Sequence, residues 1–550
     1  MAGVSGSINA AAQTVVVTVP QGTAVNMAPT ITIDGVSISP ASGVSQNFAF
    51  LVPYTVSAED GSAAQWIVTV KWAPLAPTAN IGTYLGSASG GGTADDPIPL
   101  SVSVDLPDGW TALLTAIDNA NKYVALDLSA CTMTNTEFDP GYTISTGKNR
   151  IASLILPDAA TSIAAGTFSD STFKNFTALK SVTGGAVTNV SDYAFISYDA
   201  NNCDALETVS LPVAITIGEW AFVGCDALKT VNLPAATSIG AVAFAYCTAL
   251  TSVNISAVTN IGIEAFYGCS TLMAISLPTS LESTEGNPFP GCTSLTAITI
   301  DAQNPNYKAE GGKLLSKDGK TLIGWPTATG NITLPGITIL SDESFSYATL
   351  TSVTLPAATT IGRWAFTDCT ALTTVDLPVA VTIGLAAFSG CTALTTVDLP
   401  VTVTIGLATF SGCTGLTAVN LPVATSIGDN TFYGCTALET VDLPAATSIN
   451  VCAFAYTGTT ASLTVTLGDT PPVLRTGMFD YITDTKSVTV KVPTGATAWN
   501  GKTGTFSGSE NTTDGPHWGE SFRGRGWTSG GAYESNGAVN TNISLTIETY

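Results

Sequence analysis

Charged side chains are scarce in this sequence. They make up 11% of the 550 residues, and acidic residues outnumber basic ones 41 to 18, which gives a formal net charge of -23. Phosphate backbones repel so acidic a chain, so we expect no nucleic acid partner. The sequence has no Lys/Arg-rich run that would bind an anionic membrane surface. It also has no run of about 18 apolar residues, so we expect no transmembrane segment.

The groups that usually carry catalysis are also missing. The single histidine, His517, follows the repeats, so no His-bearing catalytic triad is expected inside the repeat array. No C-x-x-C pair predicts a zinc site, no alternating oxygen ligands surround Asp95 and Asp96, and no glycine-rich loop follows a strand-turn-helix pattern. The sequence therefore predicts a protein that is not an enzyme and that holds no metal or cofactor.

The first residues, "MAGVSGSINAAAQTVVVTV", lack the basic start and the apolar run of a signal peptide. Two interpretations follow: a cytosolic chain, or a sequence that starts at a mature N-terminus after an added Met. The resemblance described below favours the second interpretation.

A 22-residue repeat dominates the sequence. Each repeat carries the pattern L-x-x-V-x-L, which is the strand signature of leucine-rich repeats, and most repeats then have a proline that ends the strand. In one repeat the pattern is formed by Leu394, Val397 and Leu399, followed by Pro400. A cysteine marks the period at Cys203, Cys225, Cys247, Cys269, Cys369, Cys391, Cys413 and Cys435.

The rest of each repeat reads "TSIGxxAFxxC". Its Ile, Phe and Cys, together with the Leu and Val of the strand, are expected to stack inward on the same residues of neighbouring coils. We expect the glycine to form a tight corner with positive φ, and the Ala-Phe to Cys segment to form one helical or 3₁₀ turn. The cysteine is read as a small apolar filler that stays a reduced thiol.

These patterns predict a mainly β fold with short helical turns: a leucine-rich repeat solenoid of about 15 rungs, preceded by a small Ig-like β-sandwich. Short alternating strands fill the sandwich, and the next segment is rich in Gly and Ser, which predicts a flexible linker. The predicted domains are the sandwich at 1–74, the linker at 75–97, an N-terminal solenoid cap at 98–150, the solenoid at 151–495 and a C-terminal β cap or module at 496–550.

One rung carries an insert at 301–330, the part of the chain richest in lysine. "GGKLLSKDGKTLIGW" predicts a β-hairpin about Asp318 and Gly319. The insert is either a surface decoration or a protruding contact site. The residues for such a contact are Tyr307, Lys313, Lys317, Lys320 and Trp325.

The repeat "LPxATSIGxxAFxxCTALTxVxLP", with "NPNYKAEGGKLLSKDGKTLIGWP" inserted in it, resembles the BspA-like, or Treponema-type, leucine-rich repeat proteins over residues 98–495. "PYTVSAEDGSAAQWIVTV" in turn resembles Ig-like modules of bacterial surface lipoproteins. The resemblance implies a bacterial cell-surface or secreted protein that adheres to host extracellular matrix proteins or to other cells. We therefore expect an exported, outer membrane-associated protein, with the signal segment and any lipid anchor absent from this chain.

The residues beside the Val of each L-x-x-V-x-L strand point outward, to what we expect to be the concave face. The column after the Val is small, polar and mildly acidic, and it lacks the aromatic and Arg anchors of tight interfaces. The candidate ligand-binding residues in it are Asn232, Asn254, Asp376, Asp398, Asn420 and Asp442. A ligand-binding adhesin is the first hypothesis, and a structural protein that self-associates into filaments or a lattice is the alternative.

Overall fold

The computed structural model describes residues 6–10, 13–60, 63–76, 80–106, 108–141, 146–197, 203–457, 462–470, 472–474, 487–496 and 544–549. The chain divides into two compact units, Met1–Asn306 and Tyr307–Tyr550. Within the described residues, helix is confined to the first unit, at Ile81–Ser87, Trp110–Ala120 and the 3₁₀ turn Lys148–Arg150. The remainder of both units is built from strands and turns.

The chain begins with a small β domain, as the sequence predicts. Its larger sheet is antiparallel except that Thr14–Val19 and Ala63–Trp72 run parallel, and Phe48, Tyr54 and Trp72 fill its core. The larger sheet has the order Gly6–Asn9, Thr14–Val19, Ala63–Trp72, Val52–Ser57, Ser37–Ser39, and a two-stranded sheet pairs Asn26–Met27 with Gln46–Asn47.

The segment predicted as a flexible linker contains a helix, so that prediction is wrong for Ile81–Ser87. Asn80 caps the helix, because its side-chain oxygen accepts a hydrogen bond from the backbone N–H of Thr83 at 3.0 Å. Leu85 is fully buried, and the helix packs on Trp110–Ala120. The prediction failed because it rested on the Gly/Ser content of the segment, whereas one buried leucine is enough to anchor the helix.

The repeats of the first unit form two seven-stranded parallel sheets and a separate parallel pair, Ala274–Leu277 with Ala297–Ile300, and like residues are paired from coil to coil. Val231, for example, pairs with Val209 and Val253. The L-x-x-V-x-L strands are Ile98–Ser101, Val124–Asp127, Ile151–Ile155, Ser181–Thr183, Thr208–Ser210, Thr230–Asn232, Ser252–Asn254, Ala274–Leu277 and Ala297–Ile300. Most repeats also have a second strand, of two residues, and these second strands form the other seven-stranded sheet: Glu137–Phe138, Ser162–Ile163, Asn189–Val190, Thr216–Ile217, Ser238–Ile239, Asn260–Ile261 and Ser283–Thr284. Asp105–Leu106 pairs separately with Thr132–Met133.

The second unit repeats this arrangement, and its second-strand sheet starts with the predicted hairpin. On the L-x-x-V-x-L side, one sheet contains Thr329–Thr333, Thr349–Thr354 and Thr374–Asp376, and another contains Thr396–Asp398, Ala418–Asn420, Thr440–Leu443, Leu463–Leu467, Ser487–Val492 and Ser544–Thr549. The ten-stranded second sheet is Tyr307–Glu310, Lys313–Ser316, Thr321–Gly324, Ile339–Leu340, Thr360–Ile361, Thr382–Ile383, Thr404–Ile405, Ser426–Ile427, Ser448–Ile449 and Val473–Leu474. The solenoid has about 16 turns. Of the predicted C-terminal cap at 496–550, only 496 and 544–549 lie within the described residues.

Phenylalanine rings stack along the core of each unit. Phe222 and Phe244 are nearly parallel with centroids 5.0 Å apart, and Phe388 lies 5.0 Å from Phe366 and 5.5 Å from Phe410. All five rings are fully buried. The stack gives each coil an apolar surface that only a neighbouring coil can cover.

The cysteines are buried, except for the half-buried Cys452, and those of the repeats do more than fill space. The thiol of Cys391 donates a hydrogen bond to the carbonyl oxygen of Phe366 in the preceding coil at 3.1 Å, and Cys247 bonds Phe222 likewise at 3.2 Å. Burial raises the pKa of Cys369 and of Cys413 to about 12, so these thiols stay protonated and unreactive. All eleven cysteines lie in the described part of the chain, and none of them is paired in a disulfide there.

The Ile-Gly glycines have a different role from the predicted one. Their φ angles are not positive; instead, a Cβ on Gly384 would lie 2.6 Å from the backbone nitrogen of Arg363 in the preceding coil. Positive φ occurs two residues later, at side chains as large as Trp364, with φ 53°. The backbone N–H of Trp364 donates to the oxygen of Leu385 in the next coil at 2.8 Å. The predicted helical turn is therefore a run of turns bonded between coils.

Candidate functional site

The outward face of the L-x-x-V-x-L strands, called the LxxVxL face below, is covered in the first unit by the N-terminal β domain. The Ser153 hydroxyl donates to the carbonyl oxygen of Ala49 at 2.6 Å. Farther along, Ser252 bonds Gln65 at 3.3 Å and Asn254 bonds Gln13 at 3.2 Å. The chain thus occupies this part of its own face.

This covering overturns the binding role predicted for Asn232 and Asn254. Asn232 is 2% exposed and its side-chain amide donates to Ser210 at 3.2 Å. Asn254 is half-buried and donates to both Asn232, at 2.9 Å, and Gln13. The side-chain polar groups of both residues are engaged in hydrogen bonds within the protein, and Asn232 is also buried.

Ion pairs flank the covered face. Lys71 of the β domain lies 3.0 Å from Asp158, and Lys180 pairs with Asp95 and, at 3.5 Å, with Glu207. The side chains of Asp158 and Asp95 are exposed, so each pair is worth at most about 1 kcal/mol. The apolar contacts and hydrogen bonds therefore hold the domain more than these charges do.

One acid of the LxxVxL face is buried under the domain. Asp127 is 1% exposed, and its carboxylate accepts a hydrogen bond from the backbone N–H of Ser129 at 2.9 Å. It lines a small cavity that Phe50 and Trp72 close from the domain side. Burial raises the pKa of Asp127, although the Ser129 hydrogen bond and the charge of Lys71 oppose the shift.

Asp127→Asn should stabilise the first unit at neutral pH, by about 1 kcal/mol. A raised pKa means that the folded protein binds the Asp127 proton more tightly than the unfolded chain does. Its stabilising contribution is therefore complete below the ordinary value of 3.8 and is lost as pH rises through the raised pKa. The measurement is the difference in Tm between variant and wild type from pH 4.5 to 7.5, with the exposed Asp34→Asn as control. A difference that does not grow with pH would contradict the prediction.

The LxxVxL face of the second unit carries the remaining candidate residues. Asp376 and Asp398 are exposed, whereas Asn420 and Asp442 are half-buried. Asn420 donates its amide to Asp398 at 2.8 Å, and strand register aligns Asp398, Asn420 and Asp442 in one column. Within the described residues, no three His, Cys, Asp or Glu side chains are grouped so that they could hold a metal ion.

The predicted hairpin is present, but it is part of a sheet, in which Tyr307–Glu310 lies outside it as the edge strand. Lys313–Ser316 runs antiparallel to Thr321–Gly324, which then pairs in parallel with Ile339–Leu340. The ammonium group of Lys313 lies 4.7 Å from the centre of the half-buried Trp325 ring. Lys317 and Lys320 are exposed and Tyr307 is half-buried. A contact role for these five residues stays a prediction.

These features define a leucine-rich repeat solenoid with a small N-terminal β domain. The family model described as "BspA type Leucine rich repeat region" matches residues 146–234, 188–309 and 331–491, more than half of the chain. The chain belongs to this BspA-type leucine-rich repeat family, as the sequence pattern indicates. Residues 1–70 match a second family model, described as "SGBP, N-terminal". A search of curated proteins finds no match.

Solved structures of bacterial leucine-rich repeat proteins are similar to parts of the chain. A leucine rich cell surface protein from Faecalibacterium prausnitzii A2-165 is 26% identical over 53% of this chain and 87% of its own, with a TM-score of 0.42. A leucine-rich repeat protein from Bacteroides ovatus ATCC 8483 is 26% identical over 56% and 82%, with a TM-score of 0.35. The pneumococcal vaccine antigen PcpA is 16% identical over 84% and 95%, with a TM-score of 0.36. The family assignment rests on the family model.

Members of the BspA-type family are typically exposed at the cell surface, and leucine-rich repeat proteins generally bind other proteins. The family consists of scaffolds that are generally non-enzymatic. Within the described residues, no helix combines the length and the apolar character needed to cross a membrane.

Proposed function

We propose that this protein is a non-enzymatic bacterial surface adhesin that binds a host extracellular matrix protein or a protein of another cell. The binding surface is the LxxVxL face of the second unit. The observation that carries the proposal is the contrast between the units. The N-terminal β domain occupies this face in the first unit, whereas Asp376 and Asp398 are exposed on it in the second.

The first unit indicates what kind of partner such a face accepts. There, the side-chain oxygens of Gln13 and Gln65 in the β domain accept hydrogen bonds from Asn254 and Ser252. Lys71 of the same domain forms an ion pair with Asp158. The second unit presents the same small polar side chains with additional carboxylates. A β-rich partner surface bearing amide and Lys or Arg side chains fits this chemistry. The lack of large anchors favours weak individual contacts, which many copies on one cell would strengthen by avidity.

The test is binding of the full chain to immobilised host matrix proteins and to proteins of other bacterial surfaces. A variant with Asp376, Asp398 and Asp442 changed to Lys should lose saturable binding, with at least a tenfold higher Kd. The matched control changes Asp34, Glu59 and Asp108 of the first unit to Lys, which gives the same change in net charge on exposed positions elsewhere. The control should bind as the wild type does.

Two other outcomes would overturn parts of the proposal. Equal loss in both variants would show a nonspecific charge effect, and binding that survives in the first variant would move the site off this face. In the second case, Lys317→Glu with Lys320→Glu tests the hairpin. Absence of binding to every protein of the panel would contradict the adhesin function. Export, association with the outer membrane and a lipid anchor belong to the same proposal.

A further inference from the structure

The second unit exposes a group of apolar side chains beside its second strands. Val379 and Val381 of one coil, Val401 and Val403 of the next, and Val423 of a third are 38% to 48% exposed. Strand pairing of Thr382 with Thr404 aligns them in two columns, one of Val379, Val401 and Val423 and one of Val381 and Val403. Coils of parallel sheets lie about 4.8 Å apart, so the columns form regular ridges. This group is called the valine patch below.

The fold does not require valine at these positions. The column of Val381 and Val403 continues as Thr359 and Thr425 in the adjacent coils, and the column of Val379 continues as Ala357 and Ala445. The core behind it is the same in every coil, since Ile361, Ile383, Ile405 and Ile427 are all buried. The exposed valines are therefore a property of the surface of these three coils.

The coils that carry the patch are almost free of charge. Between Asp376 and Asp429 the only charged residue is Asp398, and it lies on the LxxVxL face. The half-buried Leu385 and Leu407 extend the apolar surface past the strands. Water gains entropy when such a surface is covered, and within the described part of the chain nothing covers these valines.

We propose that the valine patch is a self-association surface that joins two copies of this chain. Two chains with a formal charge of -23 repel each other, so they can approach closely only where that charge is missing. A different protein without this negative charge is not repelled in this way, and it would bind more favourably where acidic residues are present than on an uncharged patch. The inference goes beyond the adhesin function and does not rest on it.

The geometry suits a two-fold contact. A two-fold axis that lies in the plane of the interface, along or across the ridges, places the ridges of one copy between the ridges of the other, so that each copy uses the same valines. The patch spans three coils, which corresponds to roughly 400 Å² per copy, below the roughly 800 Å² of stable interfaces. We therefore expect a weak dimer, with a Kd of tens of micromolar or higher, that tightens as salt screens the repulsion.

The experiment is sedimentation velocity of the full chain, from micromolar to near-millimolar concentration, at low and at high NaCl. The patch variant combines Val379→Ala, Val401→Ala and Val423→Ala with Val381→Thr and Val403→Thr. Each change introduces the residue that the same column has in the coils bordering the patch, so the fold should be retained and a CD melt checks it. The matched control is Ile215→Thr, an equally exposed residue at the same repeat position in the first unit, where the next coil has Thr237.

The wild type and the control should show a sedimentation coefficient that rises with concentration and with salt, and the patch variant should stay monomeric, with a Kd at least tenfold higher. A wild type that remains monomeric over the whole range would overturn the proposal. Dimerisation that persists in the folded patch variant would overturn it as well. The variant with Asp376, Asp398 and Asp442 changed to Lys should still dimerise, so failure of the adhesin proposal and failure of this one are distinguishable.

Discussion

Phe388→Ala should lower the free energy of unfolding of the second unit by about 3–5 kcal/mol. The ring is fully buried and stacks on two neighbours, with centroids 5.0 Å from Phe366 and 5.5 Å from Phe410. The coils on either side are fixed by the pairing of Ile383 with Ile361 and Ile405, so they cannot move into the space that the ring leaves. The loss therefore includes both the transfer of the ring and a persistent cavity.

Denaturant unfolding and amide hydrogen exchange together measure this effect. Exchange should accelerate most in the coils next to Phe388, because each coil of a solenoid is stabilised by its direct neighbours. The control is Phe168→Ala, since that ring is 62% exposed and its removal should change stability by less than about 1 kcal/mol. If the two variants lost similar amounts of unfolding free energy, the stack of phenylalanine rings would not be the source of the stability.

Gly384→Ala should also destabilise the second unit, by about 3 kcal/mol or more. The added Cβ would lie 2.6 Å from the nitrogen of Arg363 and 2.7 Å from the carbonyl carbon of Gly362. Both atoms belong to the backbone of the preceding coil, so relief requires separating two paired coils. The cost comes from this close approach, because the φ of Gly384 is not in the left-handed region.

Gly336→Ala is the matched control for this substitution. A Cβ at Gly336 meets no atom within 4 Å, and Ala357 holds the same position in the next coil. It should be neutral or slightly stabilising, because alanine reduces the entropy of the unfolded chain. Thermal melts of both variants compare the two effects directly. If both variants melt at the wild-type temperature, the coils are less rigidly spaced than the structure indicates.

The solenoid could be predicted because its signal is repeated. Leu394, Val397, Ile405, Phe410 and Cys413 recur in register, and each repetition reduces the number of folds that can bury them. The docking of the N-terminal domain has no such signal. It depends on single contacts between distant residues, such as Gln13 with Asn254, separated by 241 positions. Asp127 does follow a Val-Ala-Leu strand, so aligning that strand with the later repeats would have placed it on the LxxVxL face.

The turn geometry shows a second limit of the sequence. Glycine at a fixed position suggests positive φ, yet the left-handed residue is Trp220, Val242, Ala386 or Asn430 in different coils. Hydrogen bonds to the next coil impose that conformation, as from the N–H of Val242 to the oxygen of Ile263 at 3.0 Å. Because contacts with the neighbouring coil set this conformation, the position shows no preferred residue type from which it could be predicted.

The near identity of adjacent coils has a genetic consequence. The coil that starts at Cys369 and the coil that starts at Cys391 differ only where Ala380 and Ala387 are replaced by Thr402 and Thr409. Gene segments that are as similar as these two coils would misalign during recombination, and each event would add or remove a whole coil of 22 residues. A gained coil would pair in register with its neighbours and would bring one more aspartate to the LxxVxL face and two more valines to the patch. Such recombination would change the number of contacts that the protein makes in steps of one coil, without any amino-acid substitution.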